Sequence, residues 1–230
     1  MTDAVIFPIG DSPATVFAAR ELESRGVPIA KALTGAVTHL LLPIPTKELP
    51  EKAEGVTLIG GNLDAFPGAK IDLLRDEQYL AENAALTADC ALRLLGDRLG
   101  VSFRDCEILI IGWGRIGKCL ADMLKKLDAR VSVAARKAND LGMLTALGYE
   151  AVKLSEIRQD NYRAIINTAP APVLAGNGDE ACVRIDLASR LGIAGENVLW
   201  ARGLPGKMLP QSSGLLIARS VLRHLKEGVI

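Results

Sequence analysis

Three glycines carry the first chemical signal in this chain. Gly112, Gly114 and Gly117 stand in the run Ile110-Ile111-Gly112-Trp113-Gly114-Arg115-Ile116-Gly117-Lys118, directly after the apolar stretch 108–111. A strand, a GxGxxG turn and a helix in that order form a cradle for a pyrophosphate. The first glycine permits the tight turn, the second lets the backbone approach the phosphates, and the third lets the helix pack close to the strand. The pyrophosphate then meets free N–H groups at the positive helix end. Glycine triplets also occur in ordinary turns, so the flanking strand and helix carry the inference.

Cofactor selectivity is read at the end of the following strand. An NAD enzyme places Asp or Glu there to accept hydrogen bonds from the ribose. This chain has Ala134-Ala135-Arg136-Lys137 instead. Arg136 suits a 2′-phosphate through its planar fork and Lys137 adds charge. The residues therefore favour NADP(H), with NAD(H) left open. Trp113, Arg115 and Ile116 fill the turn and count with the glycines as cofactor contacts, while Asn167 and Thr168 end a later strand at the same edge. Arg190 and Ser189, just past the next strand, are candidates to bind an anionic substrate. So are Lys207, in a glycine-proline loop, and Ser213, near the start of the last helix. Each also reads as a solvated loop residue or a helix cap. Neither His39 nor His224 falls in the stretch 201–207, where a hydroxyacid dehydrogenase needs its acid/base, and the catalytic group stays unassigned.

The elements that must position these residues follow from periodicity. In the second half, strands are expected at 107–111, 130–134, 164–167, 184–187 and 197–200, with helices at 116–127 and 140–146. In the first half, 5–9, 29–33, 38–42 and 56–59 read as strands. Ser12 and Pro13 open a helix that Gly26 ends. The longest helical pattern is 76–99, and an amphipathic helix covers 212–226. Strands alternating with helices predict an α/β chain: a doubly wound parallel-sheet Rossmann domain plus a smaller flavodoxin-like α/β N-terminal domain. The expected division is 1–98 for the N-terminal substrate domain, with the helix 212–230 packing back on it, and 99–211 for the NAD(P)-binding domain.

Composition narrows the function classes. Lys plus Arg equals Asp plus Glu at 27 each, and aromatics are 4% of the 230 residues. A general nucleic-acid or anionic-membrane surface is therefore not expected. With 49% hydrophobic residues the chain has the material for a core. Cys90, Cys106, Cys119 and Cys182 have no CxxC spacing, so neither a zinc site nor a disulfide framework is expected. No signal-peptide pattern or spanning apolar run is visible, and the expected location is the cytoplasm.

Beyond the glycine turn, the chain resembles the A-subunit family of dipicolinate synthase, found in spore-forming bacteria. The likeness lies in 110–117 and in Val133-Ala134-Ala135-Arg136. It continues in Ile166-Asn167-Thr168-Ala169-Pro170, Ile185-Asp186-Leu187-Ala188-Ser189-Arg190 and Gly203-Leu204-Pro205-Gly206-Lys207-Met208-Leu209-Pro210, and in the helical region 72–88. The N-terminal part matches less and is shorter than the family's. The resemblance implies a sporulation oxidoreductase laid out like the D-2-hydroxyacid dehydrogenases. Dihydrodipicolinate, a small dicarboxylate, would lose a hydride to NADP⁺ and a proton to give dipicolinate. It also implies a partner, the flavoprotein-like second subunit of that synthase; a homo-oligomer stays open. Two alternatives remain: a non-catalytic nucleotide-binding protein with a regulatory or scaffold role, and a 2-hydroxyacid dehydrogenase-like enzyme with another acid/base.

Overall fold

The computed structural model describes residues 4–50, 53–176 and 179–227. The chain divides into two compact units, one made of 1–86 with 205–230 and the other of 87–204.

In the first unit, β1 (Ile6–Pro8), β2 (His39–Leu41), β3 (Thr57–Gly60) and β4 (Lys70–Asp72) form a parallel sheet in that order. Ile29 adds a parallel bridge on the free side of β1. Ile6 N–H donates to Pro28 O at 2.9 Å and Ala30 N–H to Ile6 O at 2.8 Å. With that bridge counted as an edge, the order becomes the flavodoxin order 2-1-3-4-5. The strand expected at 29–33 shrinks to this one bridge. Residues 31–36 are all exposed, so the segment has no face to bury that would hold it extended.

Helix α1 (Pro13–Ser24) begins at Pro13 as its N-terminal signal predicts. It packs on the last helix, here α6 (Pro210–Glu227). Ala14, Ala18 and Leu22 of α1 meet Leu216, Ile217 and Val221 of α6 in one core with Ile6, Leu41 and Ile59. The two helices approach closely at Gly214, where an added Cβ would lie 2.5 Å from Phe17 Cβ and 2.7 Å from Ala14 O. Asp76 caps α2 (Glu77–Leu99): its Oδ1 accepts from Gln78 N–H at 2.9 Å and Tyr79 N–H at 3.0 Å. Its Oδ2 accepts from Arg223 at 2.6 Å and lies 2.9 Å from His224 Nε2, so one carboxylate ties the start of α2 to the end of α6.

The second unit holds β5 (Glu107–Ile111), α3 (Arg115–Lys126), β6 (Arg130–Ala135), α4 (Ala138–Ala146), β7 (Glu150–Lys153), β8 (Ala164–Asn167), β9 (Val183–Asp186) and β10 (Val198–Trp200). All pairings are parallel, in the order β10-β9-β8-β5-β6-β7. This is the Rossmann order, with its switch point between β5 and β8. A short helix, α5 (Leu204–Met208), follows β10 in the chain. Ile108, Leu109, Ile110 and Ile111 are fully buried, as are Ile165, Ile166 and Ile185 on neighbouring strands. Central strands covered on both faces read as continuous apolar runs. Among the described residues, no helix is long and apolar enough to cross a membrane, and no cluster of His, Cys, Asp and Glu is arranged to hold a metal.

Candidate nucleotide-binding site

Ligands of open α/β sheets bind outside the carboxyl ends of the strands, at the switch point. Here that edge carries the glycine turn. At Gly112 the backbone takes φ +106°, and an added Cβ would stand 2.6 Å from Thr168 Oγ1. Gly117 sits in the first turn of α3, where an added Cβ would lie 2.1 Å from Gly112 O. Gly114 differs from both: its φ is −82°, and nothing lies within 4 Å of the position a Cβ would take. The outer glycines are thus demanded by the fold, and the middle one keeps open space in front of the helix end. Gly114 is also the N-cap of α3, provides no side-chain acceptor, and is followed by a first turn without an acidic residue. The positive end of the helix therefore faces that space without a side-chain anion of its own. Space, sign of charge and backbone freedom all fit a pyrophosphate.

Strand β6 ends at Ala135, so Arg136 is the first residue past it. Arg136 is exposed and makes no hydrogen bond or ion pair among the described residues. Lys137 is exposed and caps α4, and the first carboxylate after the strand is Asp140, in the first turn of that helix.

The other residues expected at the cofactor divide between backbone and side chain. Arg115 is exposed at the start of α3, and Ile116 is half-buried beside it. Trp113 lies in the turn by its backbone, but its ring packs edge-on against Tyr149 at 5.5 Å, with Lys118 Nζ 5.8 Å from its centroid. Thr168 Oγ1 donates to Ile111 O at 3.0 Å, and its N–H to the same oxygen at 2.8 Å, joining the ends of β8 and β5. Asn167 is fully buried: its Oδ1 accepts from Ala169 N–H at 2.9 Å, and its Nδ2 donates to Ala169 O and Asp186 Oδ2, both at 3.0 Å. Both polar side chains are spent on the edge itself.

On the substrate side, Ser189 and Arg190 emerge exposed from the loop after β9, and neither has a partner among the described residues. Lys207 and Ser213 belong to the other unit. Lys207 is exposed in α5. Ser213 is buried in α6, because that helix begins at Pro210 and not at 212. Its N–H already donates to Leu209 O at 2.9 Å and is not offered to an anion.

The chain has relatives at the level of both sequence and fold. The chain is similar to the A-subunit of dipicolinate synthase. That of Bacillus subtilis (strain 168) is 25% identical over 171 residues, which cover 68% of this chain and 58% of that protein. The chain thus spans under two thirds of that relative's length. The crystal structure of the dipicolinate synthase A-subunit from Bacillus halodurans superposes with a TM-score of 0.84 at 20% identity, covering 97% of this chain and 98% of that one. A transhydrogenase from Sinorhizobium meliloti follows at a TM-score of 0.70 and 13% identity, covering 98% and 94%. No protein-family model matches the chain. The chain shares the Rossmann-like α/β fold of these structures.

Sequence reasoning missed two further residues at this edge. Asp186 is fully buried and accepts four hydrogen bonds: Ala188 N–H at 2.9 Å on Oδ1, and Gly192 N–H at 2.7 Å, Ile193 N–H at 3.0 Å and Asn167 Nδ2 at 3.0 Å on Oδ2. Its signal was present, since an acid closing a buried strand must find donors. Trp200 donates Nε1–H to Ala188 O at 3.0 Å, and the Arg202 guanidinium lies 5.3 Å from its ring centroid. Nucleophilic cysteine chemistry finds no support: burial pushes all four thiols up, Cys90 to about 11 with help from the charge of Asp89. None is a ready thiolate near neutral pH. Both histidines lie in the first unit, where burial lowers the pKa of His39 and where His224 meets Asp76.

Proposed function

We propose that this chain is an NADP(H)-dependent oxidoreductase of the dipicolinate synthase A-subunit kind, which takes dihydrodipicolinate to dipicolinate in partnership with a second, flavoprotein-like subunit. On this reading it works in the cytoplasm of a spore-forming cell. The observation that carries the proposal is the open space at Gly114 before a helix end without a side-chain cap, with the guanidinium of Arg136, which has no partner among the described residues, just past the next strand. Gly112, Gly114 and Gly117 shape the pyrophosphate seat, with the backbone of Trp113, Arg115 and Ile116 around it. Arg136 takes the 2′-phosphate bidentately and Lys137 adds its field. When bound, the nicotinamide accepts a hydride. The protein's remaining work is to hold a small diacid, and the exposed Arg190 and Ser189 are placed to take one carboxylate by charge-assisted hydrogen bonds. The ring proton released on aromatisation is acidic enough for water to take.

The test is calorimetric titration with NADPH and NADH, followed by turnover of dihydrodipicolinate read as NADPH formation, with and without the flavoprotein-like partner. Tight NADPH binding with turnover supports the proposal. Tight binding without turnover in either case points to the regulatory alternative, and no nucleotide binding overturns both.

A further inference from the structure

We infer that Asp186 is a positioning residue, whose buried carboxylate sets the loop 187–193 so that Ser189 and Arg190 meet the substrate's carboxylate. This rests on the substrate reading proposed above. The loop begins with Leu187 and Ala188 buried and ends with Gly192 and Ile193 buried; between them Ser189, Arg190 and Leu191 emerge. Both buried ends are bound to one side chain. Ala188 N–H donates to Oδ1, and Gly192 and Ile193 N–H donate to Oδ2, at 2.9, 2.7 and 3.0 Å. The carboxylate thereby closes the loop as a clasp, with the exposed residues as its crown.

The clasp reaches the neighbouring strands. Asn167 at the end of β8 donates to the same Oδ2, while its backbone oxygen accepts from Leu187 N–H at 2.8 Å. An added Cβ at Gly192 would lie 2.4 Å from Asn167 Nδ2, so the two loops are in contact there. From β10, Trp200 pins Ala188 O through its indole N–H. Three strand ends therefore converge on a loop whose exposed polar side chains, Ser189 and Arg190, have no partner among the described residues. A carboxylate suits this role because it offers only acceptors to four donors. An amide in its place would turn an N–H₂ group toward backbone N–H groups and leave part of the clasp unmade.

The experiment compares wild type, Asp186→Asn, Arg190→Ala and the double variant. It measures calorimetric affinity for pyridine-2,6-dicarboxylate in the presence of NADP⁺, affinity for NADPH, and amide hydrogen exchange at Ala188, Gly192 and Ile193. Asp186→Asn should weaken diacid binding at least about tenfold while NADPH affinity stays within about twofold. Exchange at the three amides should accelerate, and Arg190→Ala should add little in the double variant, because both act through one contact. Unchanged diacid affinity, unchanged exchange, or full additivity overturns the inference. If wild type takes no diacid yet Asp186→Asn opens the loop, the substrate reading has failed and the clasp stands. If Asp186→Asn does not fold, Trp200→Phe keeps an aromatic ring and removes only the pin on Ala188. It should weaken the diacid about threefold or more with NADPH unaffected, and no change there also overturns the inference.

Discussion

At the scale of single residues, Gly114 and Gly117 make opposite predictions although they share a motif. A Gly114→Val side chain enters open space at an ordinary φ, so the variant should melt within a few degrees of wild type yet lose NADPH binding in calorimetry. Gly117→Val must displace Gly112 O, so it should lose stability first, and nucleotide binding as a consequence. Arg136→Ala removes a charge-assisted contact worth about 1.5–3 kcal/mol. It should weaken NADPH about tenfold to a hundredfold and leave NADH unchanged, with Lys137→Ala doing less. Equal binding of the two nucleotides by wild type would refute the selectivity. The glycine spacing and the missing acid were legible in the sequence because they depend on residue type along one strand–turn–helix. What a side chain does after leaving the turn was not. The ring of Trp113 turns to Tyr149 and Asn167 turns inward to Asp186, and each choice depends on a partner dozens of residues away or on another strand.

At the scale of elements, the helix α6 decides whether the first unit has a core. Gly214→Val would push against Phe17 and Ala14 O and should cost about 1–3 kcal/mol in urea unfolding, the usual range for overpacking. Asp76 joins α2 to α6, and its titration has a definite sign. Burial alone would raise its pKa, but hydrogen bonds from Tyr79 N–H, His224 and Arg223, with the charge of Arg223, hold it below the ordinary carboxylate value. A carboxyl depressed in the folded state stabilises above its unfolded pKa of about 3.9 and loses that contribution as pH falls through the lower folded value. Asp76→Asn should therefore destabilise by about 1–3 kcal/mol at pH 7 and by much less near pH 2, read by urea unfolding at both. The sequence showed α1 through its Pro13 start, α2 and most of α6 through periodicity, and β8 to the residue. It did not show β4 or β7. Lys70-Ile71-Asp72 is three residues long, and Glu150–Lys153 lies at a sheet edge with no fully buried residue, so neither writes a readable pattern.

At the scale of the molecule, nucleotide binding should appear first in the unit 87–204. With NADPH at a hundred times its Kd, the stabilisation is about 2.7 kcal/mol. Amide exchange should slow at β5, β6 and β8, and an effect absent from those strands would place the nucleotide elsewhere. The two units also differ in how the chain supplies them. The unit 87–204 is one continuous stretch, whereas the other needs 205–230 to complete what 1–86 begins. Domains generally fold as units while the chain emerges from the ribosome, the N-terminal one first. Here that order is inverted. When the last strand of the Rossmann sheet is made, Leu22, Ile6 and Leu41 have been outside the exit tunnel for well over a hundred residues without α6 to cover them. The unit 87–204 can close as soon as it is made, while the core of the unit begun first stays open on one side until 210–227 has followed.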